Sequence, residues 1–475
     1  MRGFHVPFVL VLVLSFVACK QKRGEMPITT TSEEARELFI KARDMFENYD
    51  LLRADSLLLL ALELDPDFAL AHLFLYSRDG DSIANQLVNQ VSRGEAYMIK
   101  AWNAHAARDY SLCDNMTDSL LAYYPKDKHC LYFAGNRCVD RDKKKAIDLF
   151  NQASKSDRYY AAPHMFLADL YLLEKRYKEA GERYIRYLEL MPNSGYGYHA
   201  YGNLLQAQGQ NDEALNQYLT SIRIDPGFHA SYWGALSIYN RRGEFDLVWK
   251  YSDQLYQISK TLKDKEKALY WKANVLLIRD SLDAAFDIMD QIIQLARDNG
   301  DLRKEIYMRH YKGWFALAGN KPNLAMAIFN NNLEMAKHKE FEEEDKMRLM
   351  MRSYGCISIL YGQLKNIPNA EEYLNMAREI FVSRNHSSDI LYMNLYEGVY
   401  AINTENFELA ESHLNQPDYH GFVAYHYYLA EACRLLGHKE KAISNYKLAR
   451  STNSQYWSAL FYKKSKERLK GFENQ

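Results

Sequence analysis

Six cysteines are the side chains of this sequence best suited to covalent chemistry, since a thiolate can attack, bind a metal or form a disulfide. Five of them are too scattered for a Cys-x-x-Cys metal or redox motif, namely Cys113, Cys130, Cys138, Cys356 and Cys433. Cys130 and Cys138 share a predicted helix and lie about 12 Å apart along it, too far for a disulfide. We expect small buried residues, with a Cys113–Cys130 disulfide left open if the chain is exported.

The sequence otherwise carries no recognised catalytic constellation. It contains no Gly-rich phosphate loop, no His-Glu-x-x-His and no Gly-x-Ser-x-Gly elbow, and its 14 histidines are scattered rather than paired at ligand spacing. This favours a protein that is not an enzyme and that needs neither a cofactor nor a metal.

The sixth cysteine, Cys19, ends a short apolar segment near the start of the sequence. Arg2 supplies a positive charge, and residues 8–18 are apolar except for Ser15. A helix of that length spans about 17 Å, well short of the roughly 30 Å hydrocarbon core of a bilayer. The pattern therefore predicts a secretion signal rather than a permanent membrane span.

The residues Phe16-Val17-Ala18-Cys19 resemble the bacterial lipobox, with Phe16 where leucine is usual. In that motif the signal is cut before a cysteine that is then lipidated. The resemblance implies a signal peptide over 1–18, lipidation of Cys19 and a tether over 19–32. A simple cleaved signal and an uncleaved anchor remain alternatives.

Composition narrows the classes of fold and partner. Lys plus Arg number 60 and Asp plus Glu number 61, so the net charge is −1 and a nucleic-acid partner is disfavoured. With 22 Gly and 10 Pro in 475 residues, long helices are favoured over a loop-rich or all-β fold.

One spacing of small, aromatic and proline residues recurs along the chain. Ala168 is followed by Ala180, Tyr184 and Pro192, and the same intervals relate Gly202, Ala214, Tyr218 and Pro226. A small residue at each of two slots lets two helices cross closely, the aromatic ring fills the space behind them, and proline ends the second helix. Further pairs of slots match: Ala42 and Ala54, Ala101 and Cys113, Ala134 and Ala146, Ala273 and Ala285, Gly313 and Ala325, Ser358 and Ala370, Gly398 and Ala410, Ala430 and Ala442.

This spacing resembles the tetratricopeptide repeat, a helical hairpin of 34 residues. The resemblance implies an all-α, right-handed superhelical solenoid of antiparallel helix pairs, with about 11 repeats and a C-terminal capping helix. A regular array is expected over 33–262, with an abbreviated repeat near 67–93, and a longer-helix array over 263–455. The capping helix and tail over 456–475 carry Trp457, Leu460 and Phe461 near one face, and the polar stretches 259–267 and 339–346 are expected to be solvated helix ends or turns.

In the resembled family the first helices of successive hairpins line a concave groove. Positions three before and one after each first slot face inward together, which gives Met165 and Asp169 and then the predicted partner-binding residues His199, Asn203, Trp233, Ser237, Tyr270, Asn274, His310 and Trp314. The alternative is that some of these rings only pack between helices. A clamp for a terminal carboxylate, as in chaperone-binding members of the family, is disfavoured because these inward pairs contain no Lys or Arg.

The signal and the repeats together resemble tetratricopeptide-repeat lipoproteins of Gram-negative, Bacteroides-like bacteria. They predict a non-enzymatic scaffold in the cell envelope, held at the outer membrane by lipid on Cys19, facing the periplasm and binding protein or peptide partners. The alternative is a glycan-binding lipoprotein similar to the SusD-like family, for which the expected large insertions are not visible. An enzyme or sensory regulator is a third hypothesis, with no segment left over to carry it.

Overall fold

The computed structural model describes residues 24–75, 78–319, 321–338, 341–416, 423–451 and 458–473. Cys19, Trp457 and the side chain of Leu460 lie outside that description. Within it the chain forms 25 α-helices, one turn of 3-10 helix at Ser387–Asp389 and no strand, which confirms the all-α prediction. None of the described helices has both the length and the apolar composition needed to cross a bilayer.

The chain forms two compact units, divided between Gln217 and Tyr218. This boundary lies inside one helix, and the expected change from a regular to a longer-helix array at 262/263 stays a prediction. The helices that begin in unit 1 are α1 Glu33–Glu47, α2 Leu51–Leu64, α3 Ala69–Phe74, α4 Arg78–Gln86, α5 Arg93–Ala106, α6 Tyr110–Tyr123, α7 Lys128–Cys138, α8 Lys143–Ser156, α9 Ala162–Leu173, α10 Tyr177–Leu190, α11 Gly195–Ala207 and α12 Asn211–Ile224.

Unit 2 continues the pattern of consecutive helix pairs with several longer helices. Its helices are α13 His229–Arg242, α14 Phe245–Ile258, α15 Leu262–Ile278, α16 Leu282–Asp298, α17 Leu302–Ala318, α18 Pro322–Ala336, α19 Glu343–Gln363, α20 Ile367–Arg384, α21 Ile390–Asn403, α22 Phe407–Leu414, α23 Val423–Leu435, α24 Lys439–Ser451 and α25 Ser458–Glu473. The shortest pair of the chain, α3 and α4, lies in unit 1 within the segment where an abbreviated repeat is expected.

The small-residue slots lie where paired helices cross. Ala168 and Ala180 are fully buried, and so are the alanines at the equivalent slots of most other pairs. At Gly313 an added Cβ would lie 2.6 Å from the ring of Phe329, so only glycine fits that crossing. Ser358 occupies its slot by donating a hydrogen bond to the carbonyl oxygen of Ala370 on the partner helix, at 2.7 Å. The predicted tetratricopeptide-type helix pairs are thereby confirmed.

The turn inside each pair follows one backbone pattern. In the pair formed by α9 and α10, Lys175 has a φ of 58° and its N–H donates to the carbonyl of Leu172, while the N–H of Arg176 donates to the carbonyl of Tyr171 at 2.8 Å. This is a Schellman termination, which uses one left-handed residue to satisfy the last helical carbonyls. The same left-handed position, seven residues after the first slot, is occupied by Tyr49, Arg108, Gly209, Gly243, Asp280, Lys365, Glu405 and Gly437.

In unit 1 the turn between α1 and α2 lies against later helices of the same unit. The ring of Tyr49 stacks on Tyr196 of α11 with centroids 4.4 Å apart, and on Phe166 of α9 at 5.7 Å. The hydroxyl of Tyr187 on α10 donates to the carbonyl of Asn48 at 3.4 Å. We call residues 47–49 the hairpin tip, and it covers the face that α7, α9 and α11 would otherwise leave open.

In unit 2 the C-terminal helix α25 also contacts distant helices of its own unit. Phe461 is buried against Tyr427 and Tyr428 of α23, and Arg468 pairs with Glu431 of α23. The opposite side of α25 contacts α15, and Lys463 forms an ion pair with Asp280, 183 residues earlier in the sequence. The expected capping helix therefore packs on the end of the array and on one of its early helices.

Candidate functional site

The first helices α15, α17 and α19 of unit 2 present a row of cationic and aromatic side chains. Lys263 and Lys267 are four residues apart on α15, and Lys304, Tyr307 and Tyr311 follow one stripe of α17, so each set shares a helix face. These residues line an open cavity of about 370 Å³, within the range of small ligand sites. We call it the cationic groove; its lining residues are Lys263, Glu266, Lys267, Asp301, Arg303, Lys304, Tyr307, Met308, Tyr311 and Arg352.

Arg352 on α19 lies between two tyrosine rings, Tyr307 of the groove lining and Tyr392 of α21 outside it. Its guanidinium carbon is 4.0 Å from the ring centroid of Tyr392 and 5.3 Å from that of Tyr307. Both distances are within the range of cation–π attraction, which holds the charge without neutralising it. Its Nε is buried without a hydrogen-bond partner in the described part of the chain.

Lys267 lies over another aromatic ring at the margin of the groove. Its Nζ is 3.5 Å from the ring centroid of Trp233 on α13. Burial, and then the neighbouring charge of Lys263, lower the pKa of Lys267 from its usual 10.5. Both effects mean that an anion beside Lys267 would be favourable, since it would offset the desolvation and the repulsion.

Only part of the sequence-predicted strip lies on an accessible surface. In unit 2 the side chains of Ser237, Tyr270, Asn274, His310 and Trp314 are buried among packed helices, and Trp233 is partly exposed. Trp314 donates from Nε1 to Nε2 of His310 at 3.2 Å, and Asn274 donates to the carbonyl of Tyr270 at 2.8 Å. These five side chains pack between helices, which was the alternative to a groove-lining position. Their role in partner binding stays a prediction.

In unit 1 the strip residues are His199, partly buried, and Asn203, exposed. Nδ2 of Asn203 lies 3.1 Å from Nε2 of His199. Burial lowers the pKa of His199 to about 4, so its ring is neutral at pH 7.

The cationic groove of unit 2 is lined by residues that the sequence did not place on the inward strip. The groove residues lie one turn from the positions read as inward: Lys267 is three residues before Tyr270, and Tyr307 is three before His310. The longer helices of this array extend past the crossing point, so an earlier turn reaches the open face. The missed signal is the pattern of Lys and Tyr at intervals of three and four, which lies partly in the 259–267 stretch taken as solvated.

Two further clusters have the donor atoms for a metal ion. In unit 1 the ligand atoms of Asp44, Glu47 and His129 lie within 4.8 Å of one another. Both oxygens of Glu47 already lie 3.1 Å from Nδ1 of His129, and one accepts from the Tyr160 hydroxyl at 2.8 Å. Burial would raise the pKa of Glu47, but His129 lowers it below its usual value. The cluster is therefore an internal polar contact that fixes the hairpin tip to α7.

The second cluster, in unit 2, consists of Glu411, Cys433 and His438. Glu411 forms an ion pair with Lys441. Burial raises the pKa of Cys433 to about 11, so the thiol stays protonated and is a poor metal ligand at neutral pH.

All five described cysteines are buried and free. Burial raises the pKa of Cys113, Cys130 and Cys356 as well, and that of Cys138 to about 11. These thiols therefore act as small packing residues, as the sequence suggested, and Cys113 and Cys130 are not joined.

No known protein family profile matches the chain, and no curated protein matches it. Among solved structures it is similar to the crystal structure of MamA, with 20% identity and a TM-score of 0.32, over 35% of this chain and 91% of that one. It is also similar to PilF of Pseudomonas aeruginosa, with 15% identity and a TM-score of 0.36, over 44% of this chain and 93% of that one. Likenesses of this size carry no inference about function.

Proposed function

We propose that this protein is a non-enzymatic scaffold that binds protein segments on the open face of its first helices. The cationic groove is the observation that supports this most directly. It joins a row of rings to three cations that form no ion pair in the described part of the chain, and rings and Arg residues are the side chains that dominate binding at protein interfaces.

Site-directed photocrosslinking in cells tests the proposal. A chain with Tyr311→benzoylphenylalanine should crosslink to one or a few defined proteins, because Tyr311 lines the groove. The matched control is Leu324→benzoylphenylalanine on α18, a second helix of its pair, where the side chain is exposed and lies outside the groove lining. The captured protein, once purified, should bind the native chain in calorimetry and bind the Lys267→Gln variant more weakly.

Equal capture from both positions would contradict a groove-specific scaffold. So would a result in which purified polysaccharides bind the groove and no protein crosslinks to it, which would instead support the glycan-binding alternative. None of the described residues favours that alternative at present.

We further propose that lipid on Cys19 tethers this scaffold to the outer membrane, facing the periplasm. The support is the apolar run over residues 8–18 that ends at Ala18-Cys19, followed by a polar segment. A Cys19→Ser variant should lose incorporation of a labelled fatty acid, and it should either appear in the soluble fraction or keep its uncut signal.

The matched control for the tether is Cys113→Ser, which removes a different, buried thiol. Its labelling and membrane attachment should equal those of the native chain. Unchanged mature size and membrane attachment of Cys19→Ser would contradict the tether.

A further inference from the structure

Acidic side chains surround the cationic groove, and nearly all of them are already engaged within the protein. Glu266 pairs with Lys304, Asp264 with His229 at 2.9 Å, and Asp345 with Arg303 and Arg348. Glu305 lies 2.7 Å from Arg297, Glu343 and Glu344 pair with Lys346 and Arg384, and Asp301 caps α17 through the N–H of Lys304 at 2.9 Å.

Three cations of the groove are left without such a partner. In the described part of the chain Lys263, Lys267 and Arg352 form no ion pair. Arg352 is held between tyrosine rings and Lys267 over Trp233, so both charges are fixed in position at the cavity wall. Side chains held in place before binding lose less conformational entropy when a ligand arrives.

Resting on the proposed scaffold function, we propose that the cationic groove binds an acidic peptide segment of the partner protein through its Asp or Glu side chains. One carboxylate pairs with the guanidinium of Arg352, where two parallel N–H bonds are available to a planar acceptor. A neighbouring carboxylate reaches Lys267 and Lys263 on α15. The rings of Tyr307 and Tyr311 supply contact area for the peptide between these two points.

Charge complementarity selects this ligand over the alternatives. The lining holds five cationic side chains and two acidic ones, although the whole chain has a net charge of −1. The positive charge is therefore local, whereas a nucleic acid or an anionic membrane surface is bound by an extended basic face. A cavity of about 370 Å³ holds a few residues of a peptide.

Isothermal titration calorimetry of the purified full chain tests the inference with two N-acetylated, C-amidated peptides. One alternates four Glu with Ser, and the other has Gln in place of each Glu. The Glu peptide should bind at least tenfold more tightly than the Gln peptide, and its affinity should fall as salt is raised, because exposed charges are screened. Arg352→Gln and Lys267→Gln should each weaken it by roughly tenfold.

The matched control is Arg279→Gln, which removes an exposed cation that pairs with Asp246 away from the groove lining and should leave the affinity unchanged. Circular dichroism shows whether Arg352→Gln folds. If it does not, the affinity of Lys267→Gln, at the groove margin, for the Glu peptide tests the inference without it. Equal binding of the Glu and Gln peptides would overturn the inference. So would an affinity for the Glu peptide that neither variant changes.

A third overturning result would be groove-dependent binding of single-stranded DNA or anionic vesicles as tight as that of the Glu peptide. The two proposals fail in different ways. If Tyr311→benzoylphenylalanine captures a defined protein while the Glu peptide does not bind, the acidic-segment inference fails and the scaffold proposal stands. If neither occurs, both fail.

Discussion

Asp169 on α9 is a carboxyl group held where its charge is disfavoured. Burial raises its pKa to about 6, from 3.8 for an unperturbed aspartic acid, and the hydrogen bond that Oδ1 accepts from Tyr184 at 2.5 Å only partly opposes this. Tyr49 of the hairpin tip lies close enough to interact with it electrostatically. The contact of the tip with α9 therefore places an ionisable group in a partly apolar setting.

The raised pKa of Asp169 predicts a pH-dependent stability of unit 1. Because the folded state holds this proton more tightly than the unfolded state, the stabilising contribution is complete below about pH 4 and is lost as pH rises through about 6. Asp169→Asn keeps the hydrogen-bond acceptor and removes the charge. We expect it to raise the free energy of unfolding by about 2 kcal/mol at neutral pH, and by little near pH 4.

Urea unfolding of both proteins at several pH values measures this difference. Asp169→Ala serves as the companion variant, because it also removes the acceptor of the Tyr184 hydroxyl and should destabilise the protein at every pH. An Asn variant that is no more stable than the native chain at neutral pH would contradict the prediction.

At the scale of single residues, the sequence predicted the chemical role of side chains better than it predicted which of them lie on the open face. It correctly indicated that the five described cysteines are buried packing residues. It did not locate Lys263, Lys267 and Arg352, because the inward positions were counted from the helix crossing and the longer helices of unit 2 present an additional turn. These cations form no ion pair because the nearby carboxylates are paired elsewhere, as Asp345 is with Arg303, 42 residues away, and no local pattern predicts such pairs.

At the scale of the helix pair, the turn needs one residue with a left-handed backbone conformation. The residue types found at that position do not reveal this need. Six of the positions that adopt it are Tyr, Arg, Lys, Asp or Glu, and the others are Gly. A side chain in this conformation costs about 1 kcal/mol because Cβ approaches the following carbonyl oxygen. The closing hydrogen bonds of the turn, rather than the residue type, impose the conformation.

Two glycines of unit 1 should respond oppositely to alanine. Gly209 has a φ of 78° and open space around its missing Cβ, so Gly209→Ala should lower the free energy of unfolding by about 1 kcal/mol through backbone strain alone. Gly181, inside α10, has room for a Cβ with the nearest atom 3.6 Å away, so Gly181→Ala should raise stability by about 0.5–1 kcal/mol. Chemical denaturation of the two variants checks both signs.

Each variant is the other's control, since both add one methyl group to a glycine. If both substitutions changed stability in the same direction, backbone conformation would not be the deciding effect. The sequence predicted the helix pairs from their small-residue slots because those slots need a small side chain. It could not predict the turn conformation, since the turn accepts almost any residue.

At the scale of a whole unit, the contacts of α25 depart from the simple behaviour of repeat arrays. In such arrays each repeat contacts only its neighbours, so a destabilising substitution in the last repeat affects only the repeats next to it. In unit 2, α25 joins α23 to α15, and Lys463 lies beside Asp280 at the end of α15. A change at one end of unit 2 should therefore reach helices that are far away in the sequence.

Phe461→Ala tests this coupling. Phe461 is 1% exposed, with ring centroids 5.1 Å from Tyr427 and 5.7 Å from Tyr428, so its removal should cost about 3 kcal/mol of packing. Hydrogen exchange followed by mass spectrometry should show faster exchange in α23 and also in α15. The helices α1–α11 should be unaffected.

The matched control is Lys470→Ala, on the exposed side of α25, which should leave exchange in α15 unchanged. Faster exchange confined to α23–α25 in Phe461→Ala would show that unit 2 behaves as a linear array. The sequence predicted an amphipathic end helix over 456–475, but not its second contact. That contact depends on the accumulated rotation from one helix pair to the next, which spacing alone does not determine.

The contacts of α25 also have a consequence for the time at which unit 2 can be completed during synthesis. In unit 1 the hairpin tip is synthesised first, and its contacts on α7, α9 and α11 follow within about 150 residues. Unit 1 can therefore form these contacts while the rest of the chain is still being translated. Unit 2 has the reverse order. Its early helix α15 emerges long before α25, and the pair Lys463 and Asp280 can form only after 183 further residues. During that interval α15 lacks its contacts with α25, and the neighbouring helices α14 and α16 pack against it.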